Sequence, residues 1–319
     1  MERLKIKDEP NDSDEVLAVV CRLKNKEYIL DGYLCYNNGE SVDDVSDEKK
    51  KKKISKLFKN KKLLKTFTKD QIDELYENLQ EDDNSSDSED EYLITPGHEH
   101  ISKELVLPRG LYFKPVHRPV DGEFRECFYI NGRAGAGKSY WCSDFLKDYI
   151  NQYPDNKIYI FSGVDEDEAF DKFEKVERVN LLDLTLAEGL PPITKYLNSC
   201  CIFDDVNELP IKEMREKVLT LRDLILQNGR HKGITCLCTS HVALDGPKSK
   251  LPISTSHGVV IFPRGNQEQF INLSAKKCKY NQKLIDYIIK KYGKSRWFNF
   301  YKDGSPPHII HEKGCLLLK

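Results

Sequence analysis

No run of 18 apolar residues occurs anywhere in the 319-residue chain, so no membrane-spanning helix is expected. The opening Met1-Glu2-Arg3-Leu4-Lys5 is too charged for a signal peptide, and secretion is not expected. No C-x-x-C pair exists among the ten cysteines, which removes zinc ribbons and thioredoxin-type redox motifs. The cysteines lie instead within or beside strand-like apolar runs, the pattern of buried thiols in a reducing compartment. Guanine-reading N-K-x-D is missing as well. Apolar residues are scarce at 39 % against 32 % charged; part of the chain is expected to stay outside any core. The length suits two domains of about 150 residues, or one α/β domain of roughly 220–250 with a tail.

Charge is present in quantity but segregated. The formal net of −2 conceals −7 over residues 1–48, +11 over 49–69 and −11 over 70–92. Residues 93–229 carry −6 and residues 230–319 carry +11. A self-repelling lysine run (49–53) and the acidic EDDNSSDSEDE (81–91) predict a charged, partly disordered spacer. Within it, Thr68-Lys69-Asp70-Gln71 reads as a capping box ahead of Ile72, Leu75, Tyr76 and Leu79, which predicts a short amphipathic helix near 69–80. Upstream, Val16–Leu23 and Tyr28–Tyr36 read as two strands around Asn25-Lys26, a small hairpin. The expected organisation is a hairpin region over 1–40, a charged linker over 41–100, and an α/β domain with a basic C-terminal extension over 101–319.

From about residue 105, strand-like runs alternate with amphipathic helices. The strand candidates are Cys127–Asn131, Lys157–Ser162, Ser199–Asp204, Ile234–Ser240 and Gly258–Phe262. One helix is expected over 210–228, with Ile211, Met214, Val218, Leu221 and Ile225 on one face. Another is expected over 281–292, ending at Gly293. Such alternation predicts a mostly parallel sheet flanked by helices, with ligands at the carboxyl ends of its strands.

Gly132-Arg133-Ala134-Gly135-Ala136-Gly137-Lys138-Ser139 fulfils G-x-x-x-x-G-K-[ST], with a strand before it and a helix after it. Its glycines let successive N–H groups face phosphate oxygens, and the helix N-terminus adds partial positive charge. The motif therefore predicts binding of a nucleoside triphosphate, ATP with Mg²⁺, across Gly132–Tyr140. Lys138 would reach the β- and γ-phosphates and Ser139 would ligate the metal. Farther on, Cys200-Cys201-Ile202-Phe203 runs into Asp204-Asp205. Asp204 is the candidate for the metal shell and Asp205 for polarising the attacking water. The intervening strand and the following one suit ATPases with an added central strand. Arg230 is a candidate arginine finger supplied to a neighbouring subunit. Thr239-Ser240-His241 ends the next strand near the expected phosphate position, where a polar residue could orient water or sense the γ-phosphate, and Arg264, after the fifth strand, is a weaker candidate cation.

Together, GRAGAGKS (132–139), CIFDDV (201–206), NGRHKGITCLCTSH (228–241) and HGVVIFP (257–263) resemble the FtsK–HerA superfamily of P-loop ATPases. Within it they most resemble the DNA-packaging ATPases of large DNA viruses. The resemblance covers roughly 105–275. It implies an ATP-driven, ring-forming motor that moves double-stranded DNA into a capsid and works in a virion or host cytoplasm beside assembly proteins. One departure stands out: the superfamily often places Gln or Asn after the fourth strand, where this chain has Ser240 and His241. The segments 276–280 and 290–297 interleave aromatics with cations, a pattern suited to a nucleic-acid backbone. Two other readings stay open. A P-loop kinase would need an acceptor site where Asp165-Glu166-Asp167-Glu168 would repel phosphorylated acceptors. A nucleotide-gated scaffold would use the charged blocks to recruit partners.

Overall fold

The computed structural model describes residues 3–10, 15–24, 27–37, 93–96, 100–117, 125–182, 191–302 and 307–319. The lysine run, the acidic run and the helix expected near 69–80 lie outside the described residues. The first strands are β1 (Arg3–Lys7), β2 (Glu15–Lys24), β3 (Glu27–Asn37), β4 (Leu93–Pro96), β5 (Ile101–Val106) and β6 (Leu111–Lys114). There follow β7 (Cys127–Asn131), α1 (Lys138–Gln152), β8 (Lys157–Ser162), α2 (Glu168–Asp171), β9 (Val176–Asn180), β10 (Ser199–Asp204) and α3 (Lys212–Asn228). Then come β11 (Ile234–Ser240), α4 (Gly246–Thr255), β12 (Gly258–Ile261), α5 (Gln267–Lys276) and α6 (Gln282–Tyr292). The chain closes with β13 (Phe298–Tyr301), β14 (His308–His311) and β15 (Gly314–Leu318).

These elements form two compact units, one of residues 1–113 with 313–319 and one of residues 114–312. In the first, β2 and β3 pair antiparallel across residues 25–26, where the two strands of the hairpin were expected. The sheet is wider than a hairpin, however, with strand order β1-β3-β2-β6. In the same unit β4, β5 and β15 pair antiparallel, in that order. β4 falls in a stretch the sequence reads as linker, because four residues are too short to show an alternation.

In the second unit the strand order is β14-β13-β12-β7-β11-β10-β8-β9. From β12 to β9 every pairing is parallel. β13 and β14 extend the sheet antiparallel. The parallel core, flanked by helices, is the fold class the alternation predicts. Its central strands are apolar along nearly their whole length because both faces are covered. Every residue of β7 and β11 is buried. α1 inserts Trp141, Phe145, Leu146 and Tyr149; Phe128 meets Trp141 edge-on at 5.2 Å and Phe145 at 5.5 Å. Each such side chain contributes about 1.5–3 kcal/mol on burial. α3 buries Met214, Val218, Leu221 and Ile225 as its spacing predicts. Ile211 does not join them; it precedes the helix as its N-cap and is 37 % exposed.

Two features of the basic C-terminal region go beyond the sequence reading. The basic C-terminal extension is in part sheet: β13 and β14 are fully buried. The aromatics interleaved with its lysines also belong to the core, with Tyr292 and Trp297 buried and Tyr280 packed against Phe300 at 5.6 Å. Those rings are therefore not displayed for stacking on bases. Nine of the ten cysteines are buried, and Cys278 is half-buried.

Candidate functional site

The loop after β7 and the acids after β10 meet at the carboxyl ends of the parallel strands. β11 lies between β7 and β10, so the loop and the acids are two strand spacings apart, about 10 Å. That gap is the length of a lysine side chain and an aspartate facing each other. Lys138, 6 % exposed, crosses it: its ammonium lies 3.3 Å from Asp205 Oδ2. It also donates to the Gly132 carbonyl at 2.9 Å and lies 3.0 Å from His241 Nδ1. Since an ammonium has no lone pair, Nδ1 is the acceptor. The imidazole proton then sits on Nε2, 3.1 Å from the same Asp205 oxygen.

The loop is shaped by three glycines with separate reasons. Gly135 and Gly137 have φ of 71° and 108°, a region side chains disfavour. Gly132 is required by contact: a Cβ there would come within 2.9 Å of the Phe262 Cβ and 3.1 Å of the Ala136 Cβ. The Gly132 N–H donates to the Ser240 carbonyl at 3.1 Å, and the Asn131 amide donates to that same oxygen at 3.1 Å. The root of the loop is thereby tied to the end of β11. Arg133 and Ala134 are exposed, Ser139 is half-buried in the first turn of α1, and Tyr140 is 63 % exposed. The Arg133 guanidinium packs beside Gly265, in the loop after β12 that also carries the exposed Arg264.

Register explains the acid pair. Asp204 is paired with Ser162 of β8, and the β10–β11 register places Thr239 on its other side. In-register residues of parallel strands point to the same face, so two hydroxyls flank one carboxylate. Ser162 donates to Asp204 Oδ2 at 3.3 Å and Thr239 to Oδ1 at 2.9 Å. Burial, and after it the neighbouring Asp205 charge, push the Asp204 carboxyl above its usual range. Asp205 then turns the chain at φ 47°, a conformation that Asp tolerates better than most residues. Its N–H donates to Thr239 Oγ1 at 2.8 Å, and that oxygen lies 3.1 Å from Asp205 Oδ1. Thr239 has one hydroxyl proton for two carboxylates.

Thr239 carries more of this geometry than the sequence reading assigned to it. Its signal was present: β8, β10 and β11 are apolar strands that each end in polar residues, Ser162, Asp204 and Thr239-Ser240. Ser240, a candidate sensor, is turned away; its hydroxyl donates to the Val242 carbonyl at 3.0 Å and accepts from the Val242 N–H at 3.2 Å. Of that run, Thr239 and His241 reach the acid pair. Arg230 is not brought to this cluster. It sits in the turn before β11, at the amino ends of the strands, about 20 Å of strand away.

The chemistry of Asp204, with the Ser139 hydroxyl as a second oxygen donor, suits Mg²⁺. Asp204 is partly buried, makes no ion pair among the described residues, and receives only hydroxyl donors. No three His, Cys, Asp or Glu side chains converge as a metal site among the described residues. A protein offering one carboxylate and one hydroxyl matches a cation that takes its other ligands from phosphate and water.

No family model matches the chain. It is 29 % identical over 217 residues to uncharacterized protein V3 of Sputnik virophage, which spans 67 % of this chain and 84 % of that one. Among solved structures it is similar to the genome packaging NTPase B204 of Sulfolobus turreted icosahedral virus 2, in complex with AMPPCP. There the identity is 14 % and the TM-score 0.43, over 60 % of this chain and 97 % of that one. It is also similar to the pCW3 conjugation coupling protein TcpA, solved with ATPγS, at 12 % identity and TM-score 0.39 over 60 % of each chain.

Proposed function

We propose that this chain is a Mg²⁺-dependent ATPase of the class with an added central strand and an adjacent catalytic acid, and that it drives double-stranded DNA into a viral capsid as a homo-oligomeric ring. The observation that supports the reading is the meeting of Lys138, Asp205 and His241 at the carboxyl rim, across the width of β11. The residue-level resemblance to FtsK–HerA packaging ATPases supplies the DNA and the capsid.

In this reading the N–H groups of Gly132–Ser139 bind the triphosphate, and Lys138 turns from Asp205 towards the β- and γ-oxygens. Ser139 and Asp204 would hold Mg²⁺, which would supply charge neutralisation at those oxygens. Asp205 then accepts a proton from the attacking water, at Oδ2, the oxygen shared with Lys138 and His241. His241 holds that carboxylate through Nε2 and reports through Nδ1 whether Lys138 is engaged. Thr239 keeps the two aspartates in register. Arg230, at the opposite rim, serves a neighbouring subunit's site or none; nothing in its own chain gives it access to Lys138. Exposed Tyr140 and Arg133 border the side of the loop where the nucleoside would lie.

The test is steady-state ATP hydrolysis with and without duplex DNA, alongside sizing of the assembly with a non-hydrolysable analogue. Duplex-stimulated turnover by a ring is expected. Asp205→Asn is expected to lower turnover by about 10²–10⁴-fold while analogue affinity stays within a few-fold. Turnover indifferent to both DNA and Asp205 would remove the motor, and a phosphorylated nucleoside product would install a kinase in its place.

A further inference from the structure

The segment 276–302 holds nine lysines and arginines and a single acid, Asp286. Such an excess on a folded surface needs an account, because like charges held together repel. The amphipathic pattern of α6 shows where they point. Leu284, Ile285, Ile288 and Tyr292 face inward. At 100° per residue Lys283 and Lys290 lie opposite that stripe, and Lys291 flanks them. Before α6, Lys276, Lys277 and Lys279 cluster at the end of α5, and Lys294 follows α6; all are exposed.

Internal partners absorb little of this charge. Arg296 pairs with Glu312 at 3.0 Å, and Lys302 is turned inward onto the Ile253 carbonyl. Lys276, Lys277, Lys279, Lys290 and Lys294 make no ion pair among the described residues. The aromatics are not on offer either. No ring in 267–297 is fully exposed, and Tyr287, the nearest to the surface on α6, is covered by the Lys291 ammonium, 2.9 Å from its hydroxyl and 5.3 Å from its ring centre. Single-strand binders rely on open aromatic platforms for the bases. A face with exposed cations and no free ring suits a partner that presents dense phosphate on a regular outer surface.

We infer that the solvent face of α5 and α6 binds the phosphate backbone of duplex DNA without reading its sequence. α5 begins beside the loop after β12, where its Gln269 accepts from the Ala243 N–H at 2.6 Å. Its nine steps carry Lys276 about 13 Å from that end, so this face is set apart from the phosphate loop. The inference rests on the DNA-handling part of the function proposed above, and its test separates the two.

The experiment measures binding of a fluorescent duplex by the full chain across a salt series, with two charge-reversed variants. One combines Lys276→Glu, Lys277→Glu and Lys279→Glu; the other combines Lys283→Glu, Lys290→Glu and Lys294→Glu. Each is expected to weaken duplex binding at least tenfold and to flatten the log–log salt slope by about 2 to 3, since each phosphate contact contributes about 0.9. Nucleotide-analogue affinity, expected to be unchanged, shows that both variants are folded. Single strands of equal length are expected to bind more weakly than duplex. No duplex binding by the natural chain, unchanged affinity and slope in both variants, or preference for single strands would each overturn the inference. Lysine-dependent duplex binding without any DNA effect on ATP turnover would leave this face intact and remove the motor.

Discussion

At the scale of single residues, one hydroxyl carries an unusual share of the site. Thr239 Oγ1 accepts the Asp205 N–H and has one proton for Asp204 or Asp205. Its hydrogen bond holds the Asp204 carboxyl down, against the burial that pushes it up. Removing the hydroxyl in Thr239→Val lets that carboxyl rise further. Because Asp204 must be ionised to serve the metal, the acid limb of the ATPase pH profile is expected to move to higher pH, with turnover down about tenfold. Thr239→Ser is expected to restore both. A Val variant with reduced turnover but an unmoved acid limb would make Thr239 a packing residue only. Lys138 and Ser139 were legible from spacing, because the motif defines them one by one, and Asp204 and Asp205 as the carboxylates that end an apolar run. Thr239 was legible only as one of three polar residues at a strand end, since a threonine near the end of a β-rich run is what propensity supplies in any case. Only register with Asp204 gives it meaning.

At the scale of elements, the five strands read from apolar runs coincide with β7, β8, β10, β11 and β12, the last ending one residue early at Ile261. Strands buried on both faces announce themselves as continuous hydrophobic runs. Those missed lack that signature. β9, VERVN, is half-buried along its length at the edge of the sheet. β13 to β15 were masked by the lysines around them, which are loop and helix residues rather than strand residues. β12 also explains a glycine. A Cβ at Gly258 would fall 2.5 Å from the Phe128 ring and 2.6 Å from the Asn299 amide, between the two strands that flank it. Gly258→Ala is expected to cost about 1–3 kcal/mol through overpacking, read as a lowered unfolding midpoint in urea. An unchanged midpoint would mean that β12 shifts without penalty.

At the scale of the whole molecule, two buried imidazoles set the response to acid. Burial lowers His117 from its ordinary 6.5 to about 4 and His311 to about 3. His117 lies among Phe145, Tyr149 and Tyr153, with its ring nitrogens near Gln152 and Thr235. The unfolded chain takes up these protons first, so stability is intact above pH ~6.5 and declines as pH falls towards 4 and then 3. A drop of about 3 kcal/mol from His117 alone is expected across that window, measured as urea midpoints at pH 7, 5.5 and 4. His117→Gln is expected to flatten the upper part of the decline, and a decline of full size in that variant would place the effect elsewhere.

The same molecule-wide view applies to the Lys138 ammonium. It has three protons, and three acceptors lie within 3.3 Å: a peptide oxygen, an imidazole and a carboxylate. A phosphate-bearing guest must outbid a resident anion to win this cation, so affinity grows with the guest's own negative charge. Orthophosphate, abundant and weakly charged, competes poorly on those terms. Under the function proposed above, longer phosphate tails are expected to be favoured through the valence of this lysine.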